Sequence, residues 1–537
     1  MRIALAQLNL LIGDVDGACR AIAAAAQRAK AAGAELLVTP ELALMGGYPP
    51  RDLLERRQLV ERQWQALHAL AAQLPIPALI GCVEPLTEGP DPRLANALAA
   101  VADGQVQAVY QKRLLPMYDV FDERRYFRPG TRSQVVRLAG LRIGMTVCED
   151  IWNDAGFNYG IDPIAELVGG CDLIVNVSAS PYHVGKPLVR HQLIAAVAKR
   201  CGAPTVYCND VGAHEELLFD GGSCIIHPDG SYAACARRWD ADLAIAELTG
   251  TVAGPAPIDP IADLYDGLVM GIRDYCAKTR QSAVVLGLSG GIDSALVATL
   301  AADALGPQAV TGLLMPGPYS SPGSIADALS LAEALGMRHE TLPIRRAYDT
   351  VIAELAPLFA GTAPGLAEEN LQSRLRGTLV MAAAHKLGVM ALTTGNKSEL
   401  AVGYCTIYGD MNGGLGPIGD CYKTQIWQLS RHANRAGVRI PEASITKAPS
   451  AELRENQTDQ DSLPPYAQLD RILEAFLEQG LGVEQIIALG EPAEVVRRVV
   501  RLVEVNEFKR RQAAPTLRVT PKAFGTGRRM PIARFIG

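Results

Sequence analysis

The chain holds 11 cysteines, yet no two stand at C-x-x-C spacing. That excludes a zinc ribbon and a thioredoxin-like redox site. There is no excess of positive charge: 51 Lys and Arg against 57 Asp and Glu give a formal net charge of −6, which argues against a nucleic-acid-binding surface. No apolar run is long enough to cross a bilayer. There is no internal repeat, and no low-complexity tract beyond Ala-rich helices. The opening Met1-Arg2-Ile3-Ala4-Leu5-Ala6-Gln7 lacks the layout of a signal peptide. A reducing cytoplasm is therefore the expected compartment, with neither nucleic acid nor membrane as partner. In that setting most cysteines are expected to be small buried hydrophobes.

What is present is globular: 49% hydrophobic and 20% charged residues. A chain of 537 residues is too long for one core, so two large domains are expected. Apolar strand-like runs (3–11, 34–39, 108–111, 141–147, 173–177, 205–208) alternate with helical patterns at 19–32 and 188–200. That alternation predicts an α/β architecture. The stretch Gly250-Thr-Val-Ala-Gly-Pro-Ala-Pro-Ile-Asp-Pro260 reads as a linker. The expected division is residues 1–250, a linker over 251–260, and residues 261–537. The second part opens with a helix over 261–278. It continues with strands at 310–315, 340–343 and 390–393 and a helix over 324–335.

Three polar residues of the first part each follow a predicted strand. Glu41 follows Leu-Leu-Val-Thr-Pro, Lys112 follows Ala-Val-Tyr-Gln, and Cys148 follows Ile-Gly-Met-Thr-Val. Chemistry on α/β sheets gathers at the carboxyl ends of strands. There a carboxylate can take a thiol proton, an ammonium can stabilise a thiolate or an oxyanion, and the thiol can attack a carbonyl carbon. Alone, each has a plainer reading: a buried thiol, a helix-capping acid, a surface charge. Together, Pro40-Glu41-Leu42, Tyr110-Gln111-Lys112-Arg113-Leu114-Leu115-Pro116 and Cys148-Glu149-Asp150-Ile151-Trp152 resemble the nitrilase/amidase superfamily. Asn176-Val177-Ser178-Ala179-Ser180-Pro181-Tyr182-His183, with Gly185-Lys186, narrows this to the glutaminase domain of the glutamine-dependent NAD synthetases. The resemblance covers roughly the first half. It implies an α-β-β-α sandwich, a Glu41–Lys112–Cys148 triad, and glutamine held by Tyr118, Ser180 and Lys186. One departure is the doubled glycine in Met45-Gly46-Gly47-Tyr48, where a single one is expected. His183 and His214 read as loop residues, since no metal set forms around them.

In the second part an apolar run stops at a turn that opens directly into an apolar helix: Gly287-Leu288-Ser289-Gly290-Gly291-Ile292-Asp293-Ser294. Glycines let backbone approach an anion closely, and the first helical turn points N–H groups at it. The lysine of a Walker loop is missing. The loop instead resembles that of the ATP pyrophosphatases, which cut ATP between the α and β phosphates, and implies a doubly wound parallel sheet. Asn370-Leu371-Gln372-Ser373-Arg374-Leu375-Arg376, Thr393-Thr394-Gly395-Asn396-Lys397-Ser398-Glu399, Tyr408-Gly409-Asp410, Lys423-Thr424 and Glu507-Phe508-Lys509 follow. As a string over 261–537 they resemble the synthetase domain that makes NAD from nicotinic acid adenine dinucleotide (deamido-NAD). The resemblance implies ATP contacts at Gly287 to Ser294 (Gly287, Leu288, Ser289, Gly290, Gly291, Ile292, Asp293, Ser294) and Thr394. It implies deamido-NAD contacts at Asn370, Glu399 and Lys509. Asp293 and Glu399 are candidate Mg²⁺ ligands, so Glu399 keeps two competing roles. Arg374 suits substrate recognition, while Arg376 stays open.

The expected function is amidation of deamido-NAD to NAD through an acyl-adenylate, with L-glutamine as nitrogen source and ATP as co-substrate. Association into a homo-oligomer and an internal passage for ammonia are implied by the resemblance alone. Rival amidotransferases fit poorly. An asparagine synthetase needs its cysteine at the processed N-terminus, where Arg2 stands. A GMP synthetase needs a Cys-His-Glu triad, and no cysteine here has that wording. A nucleotide sensor without catalysis would have no use for Glu41, Lys112 and Cys148.

Overall fold

The computed structural model describes residues 1–153 and 159–536. The chain divides into two compact units, 1–258 and 259–537.

The first unit is the expected four-layer sandwich. Strands β1 (Arg2–Gln7), β2 (Leu36–Val38), β3 (Ala78–Pro85), β4 (Leu94–Ala102) and β5 (Gln105–Gln111) build one sheet. Strands β6 (Gln134–Leu138), β7 (Leu141–Val147), β8 (Leu173–Ser178) and β9 (Thr205–Asn209) start the other. A hairpin of β10 (Val211–His214) and β11 (Leu217–Asp220) follows. Strands β12 (Cys224–Ile226) and β13 (Tyr232–Cys235) then complete the second sheet, and β14 (Asp242–Glu247) returns to the first. The orders are β14-β1-β2-β3-β4-β5 and β13-β12-β9-β8-β7-β6. Period-2 alternation assigns the faces. Ile3 and Leu5 meet Met145, Val147, Val175 and Val177 between the sheets. Ala4 and Ala6 turn outward onto Ile22, Ala26 and Leu67 of helices Val15–Ala31 and Arg57–Ala71. Ile174 and Tyr207 pack outward against Ile194 and Val197 of helix Lys186–Cys201.

The first helix starts four residues before its apolar pattern predicts, because Asp14 accepts the N–H of Gly17 at 2.9 Å and caps it. The first strand likewise ends at Gln7. Within 251–260, the N–H of Val252 still bonds the Tyr232 carbonyl at 2.7 Å.

The second unit holds a parallel sheet of β15 (Val284–Gly287), β16 (Val310–Leu314), β17 (Arg338–Thr341) and β18 (Met390–Ala391). Its order is β17-β16-β15-β18. The chain winds outward through β16 to β17, then crosses back to lie beside β15. The strand order therefore reverses between β15 and β18, which is where open α/β sheets bind ligands. Val285 and Leu313 pack on Val380 and Ala384 of helix Leu366–Leu387. Strand β17 lies two residues earlier than its apolar run predicts; all four of its residues are exposed on the sheet edge. No helix among the described residues is long and apolar enough to cross a membrane.

Candidate functional sites

In the first unit three strand ends deliver Glu41, Lys112 and Cys148. Each is almost fully buried. The Lys112 ammonium donates to Glu41 Oε1 and to Glu123 Oε1, both at 2.7 Å. Asn96 of β4 donates from Nδ2 to Glu41 Oε1 at 2.7 Å, and the Ala179 N–H donates to Glu41 Oε2 at 2.8 Å. Glu41 thus sits in one orientation, held by donors on both carboxylate oxygens.

Cys148 directly follows β7 with φ +42°. That left-handed conformation is uncommon for a residue with a side chain. The turn is pinned by buried Asp150. Its carboxylate accepts the N–H groups of Val147, Arg113 and Leu114 at 2.9–3.0 Å and the Tyr110 hydroxyl at 2.8 Å. One carboxylate therefore ties the turn carrying Cys148 to the strand end carrying Lys112.

The electrostatics follow from burial. Burial pushes the Cys148 thiol well up; Glu41 adds to the rise and Lys112 opposes it. The thiol is therefore protonated at rest, and an attack by sulfur needs a base. Burial would lower the Lys112 ammonium, but Glu123 and Glu41 outweigh it and hold the proton. Burial raises the Glu123 carboxyl to about 8 against the pull of Lys112. Two carboxylates sharing one ammonium cannot both ionise easily in a dry site.

Around the thiol, the Tyr118 hydroxyl donates to Glu149 at 3.0 Å. The Lys186 ammonium lies 5.4 Å from the Trp152 ring centre and donates to the Pro181 carbonyl at 2.8 Å. Ser180 is buried, its N–H on Asn209 Oδ1 at 3.0 Å. The sequence reading missed Glu123, Asn96 and Asp150. Glu123 opens the short helix Glu123–Tyr126 just after Asp119 and Asp122, and nothing in the sequence singles it out. The cysteines other than Cys148 are free and mostly buried, as expected of structural residues. His214, expected in a loop, instead ends strand β10, buried and 3.4 Å from Asp210.

In the second unit a cavity of about 320 Å³ opens at the switch between β15 and β18. Gly287, Leu288, Ser289, Gly291, Ile292, Asp293, Ser294, Thr394 and Glu399 line it. Gly290 stands behind them with φ +78°, where a Cβ would lie 2.1 Å from the Ser324 carbonyl oxygen. Only glycine fits that turn. Ser289 and Ser294 hydroxyls meet at 3.1 Å, and the Gly291 N–H donates to Ser289 Oγ at 3.2 Å. Helix Ile292–Leu305 starts there, N-terminus toward the cavity wall.

Asp293 and Glu399, from opposite sides of the switch, meet on one ammonium. Buried Lys423 pairs with Asp293 Oδ2 and with Glu399 Oε1, the latter at 3.3 Å. Asn396 donates to Asp293 Oδ1 at 2.9 Å and caps the helix that carries Glu399. Burial raises Glu399 to about 8, with Lys423 opposing. The structure does not bring Asn370 or Lys509 to the cavity wall. Asn370 Oδ1 accepts the Thr406 hydroxyl at 2.8 Å, and Lys509 donates to the Gly403 and Cys405 carbonyls at 2.7 and 2.8 Å. Both brace residues 403–406, of which Tyr404 and Cys405 do line the cavity.

Residues 2–256 match the carbon-nitrogen hydrolase family and residues 264–513 the NAD synthase family. A glutamine-dependent NAD(+) synthetase of Synechocystis sp. is 48% identical, over 99% of this chain and 98% of its own. The chain belongs to the glutamine-dependent NAD(+) synthetase family. A member from Thermotoga maritima is 39% identical over the same shares of both chains. The structure of the Acinetobacter baumannii member, solved with adenosine diphosphate, matches 99% of this chain and 98% of its own at TM-score 0.79 and 38% identity. The Cytophaga hutchinsonii member shares the fold at TM-score 0.85.

Proposed function

We propose that this chain makes NAD by amidating deamido-NAD, with ammonia cut from L-glutamine, through an acyl-adenylate. In the first unit Glu41 takes the Cys148 proton as sulfur attacks the glutamine carboxamide carbon. Lys112 stabilises the oxyanion. Ammonia leaves, and water releases glutamate from the glutamyl thioester, with Glu41 again moving the proton. Tyr118, Ser180 and Lys186 hold the glutamine. In the second unit residues 287–294 and Thr394 cradle ATP. A nicotinate carboxylate oxygen attacks the α-phosphorus and pyrophosphate leaves. Ammonia then attacks the acyl carbon and AMP leaves. Activation is needed because a carboxylate is a poor electrophile.

Mg²⁺ suits the second site. Asp293 and Glu399 converge on one cation in the structure, and Mg²⁺ is commonly held by one or two carboxylates together with substrate phosphates. When bound it would neutralise phosphate charge; Asp293 and Glu399 would hold it, and Lys423 would turn to the phosphates. Asn370 and Lys509 bind deamido-NAD beside the 403–406 segment that they brace, and Glu399 contacts either the metal or the dinucleotide. We assign 1–250 to glutamine hydrolysis, 251–260 to the linker and 261–537 to synthesis. Self-association and a cytoplasmic location belong to the same reading.

The observation that carries it is the presence in one chain of a Glu–Lys–Cys site and a phosphate cradle without a Walker lysine. The test is product analysis with glutamine, ATP, Mg²⁺ and deamido-NAD. NAD, AMP, pyrophosphate and glutamate are expected. ADP and phosphate in place of AMP and pyrophosphate would refute the pyrophosphatase chemistry.

A further inference from the structure

Three Lys or Arg side chains line the nucleotide cavity: Arg376, Lys423 and Lys447. Lys423 is neutralised by Asp293 and Glu399, and Lys447 by Asp327 at 3.1 Å. Arg376 differs. Its Nε donates to the Met315 carbonyl at 3.0 Å and its Nη2 reaches Ser320 Oγ at 3.5 Å. Among the described residues no carboxylate stands within ion-pair distance; Glu452 and Asp410 act on it only from farther away. A guanidinium carries five N–H donors, and these two contacts leave most of the fork unused. The neighbouring Arg374 is exposed and bonds the Ile407 carbonyl, away from this wall.

The space beside the guanidinium is kept open by Gly317. A Cβ there would lie 2.7 Å from Arg376 Nη2 and 3.0 Å from Gln372 Oε1. Gly317 has no positive φ, so what a side chain there would meet is the guanidinium and the Gln372 amide. Gln372 Oε1 is itself buried without a hydrogen-bond partner. The Met315 carbonyl fixes the guanidinium at the carboxyl end of β16, whereas the Asp293–Lys423–Glu399 group lies at the β15–β18 switch.

We infer that Arg376 is a substrate-binding residue of the synthetase reaction that receives a phosphate oxygen of a bound nucleotide. A half-buried guanidinium held by a carbonyl and lacking a counter-ion favours an anion, and phosphate matches its planar fork. The two phosphate sources are ATP and deamido-NAD, and kinetics separate them. The inference rests on the nucleotide reading of this cavity.

The test is ammonia-supported NAD formation by the full chain, with ATP and deamido-NAD varied in turn. Arg376→Met is expected to raise KM for the phosphate-bearing partner by roughly 10- to 100-fold, as loss of a charged hydrogen bond does. A rise for ATP assigns the phosphate to ATP, and a rise for deamido-NAD to the dinucleotide. Arg376→Lys should recover part of the loss, since it keeps charge without the fork. Gly317→Ala should raise the same KM by crowding the guanidinium. Near-UV circular dichroism and thermal unfolding of the full chain, compared with wild type, report whether each variant folds. Unchanged KM for both substrates in Arg376→Met overturns the inference; if that variant does not fold, unchanged KM in Arg376→Lys and Gly317→Ala does so. A wild type that forms no AMP overturns the nucleotide reading itself, which is a separate failure.

Discussion

The two sites are built in opposite ways. In the candidate site of the first unit Glu41, Lys112 and Cys148 are almost fully buried, and Lys112 is bound on both sides by carboxylates. In the synthetase site the acidic residues hold one another's counter-ion, Lys423, inside an open cavity that also contains an unpaired guanidinium. On the function proposed above, the first is a finished arrangement for one small amide. On the same reading, the second exchanges its internal ion pairs for contacts with phosphates. Preorganised groups act without rearrangement at the moment of reaction. A site that binds polyanions has to keep its charges exchangeable.

The strongest test of this contrast is to remove one group from each site. Cys148→Ala should abolish NAD formation from glutamine yet leave formation from ammonium salt largely intact. Asp293→Ala should eliminate conversion of ATP to AMP with either nitrogen source. Equal loss with both sources in Cys148→Ala would break the two-site description.

Next in size is Glu41→Gln. Loss of general-base help typically lowers a rate by about 10²–10⁴, and here only glutamine-supported turnover should fall. If ammonia-supported turnover fell in step, Glu41 would be acting on the fold and not on the thiol.

Glu123 sharpens the contrast through pH. Its carboxyl is raised from 4.5 to about 8 by burial. Between those values the folded chain keeps a proton that the unfolded chain gives up. Stability contributed by this group is therefore complete below about pH 4.5 and declines as pH rises toward 8. Thermal unfolding followed across that range should show the decline, and Glu123→Gln should flatten it. An identical slope in wild type and variant would assign the titration elsewhere.

These residues also show what the sequence could and could not reveal. Glu41, Lys112 and Cys148 were legible because each follows an apolar run, and strand ends of an α/β sheet converge. The turn over 289–294 is legible because its glycines and the helix after it are contiguous. Lys423 stands in the string without a role of its own: it is 130 residues from Asp293, and no local pattern links them. Asn370 and Lys509 stood out in the string, but their side chains support the backbone of the wall. Strand β17 was displaced in the reading because its exposed edge carries no alternation. Side-chain chemistry at strand ends shows in sequence; the partners that fold back onto it do not.

The smallest expected effect concerns the doubled glycine near Glu41. Gly46 and Gly47 both adopt left-handed backbone, with φ +90° and +105°. A Cβ on Gly46 would lie 2.0 Å from the Leu11 carbonyl oxygen, and one on Gly47 would lie 2.9 Å from Asp210 Oδ2. The Leu11 carbonyl cannot withdraw freely, because it accepts the N–H of Asp14 at 3.0 Å, and Asp14 caps the first helix. Gly46→Ala should therefore cost about 1–2 kcal/mol for the backbone conformation and a further ~1–3 kcal/mol for overpacking. Gly140 supplies the control: it too is left-handed, at φ +81°, but nothing lies within 4 Å of its Cβ position. Gly140→Ala carries the backbone cost alone, so the difference between the two variants in chemical unfolding isolates the contact. Gly46→Ala should also slow glutamine hydrolysis, since the turn it closes carries Glu41, and should spare ammonia-supported synthesis. Equal destabilisation in the two variants would mean that Gly46 is there for conformation only and that the close packing beside Glu41 contributes nothing.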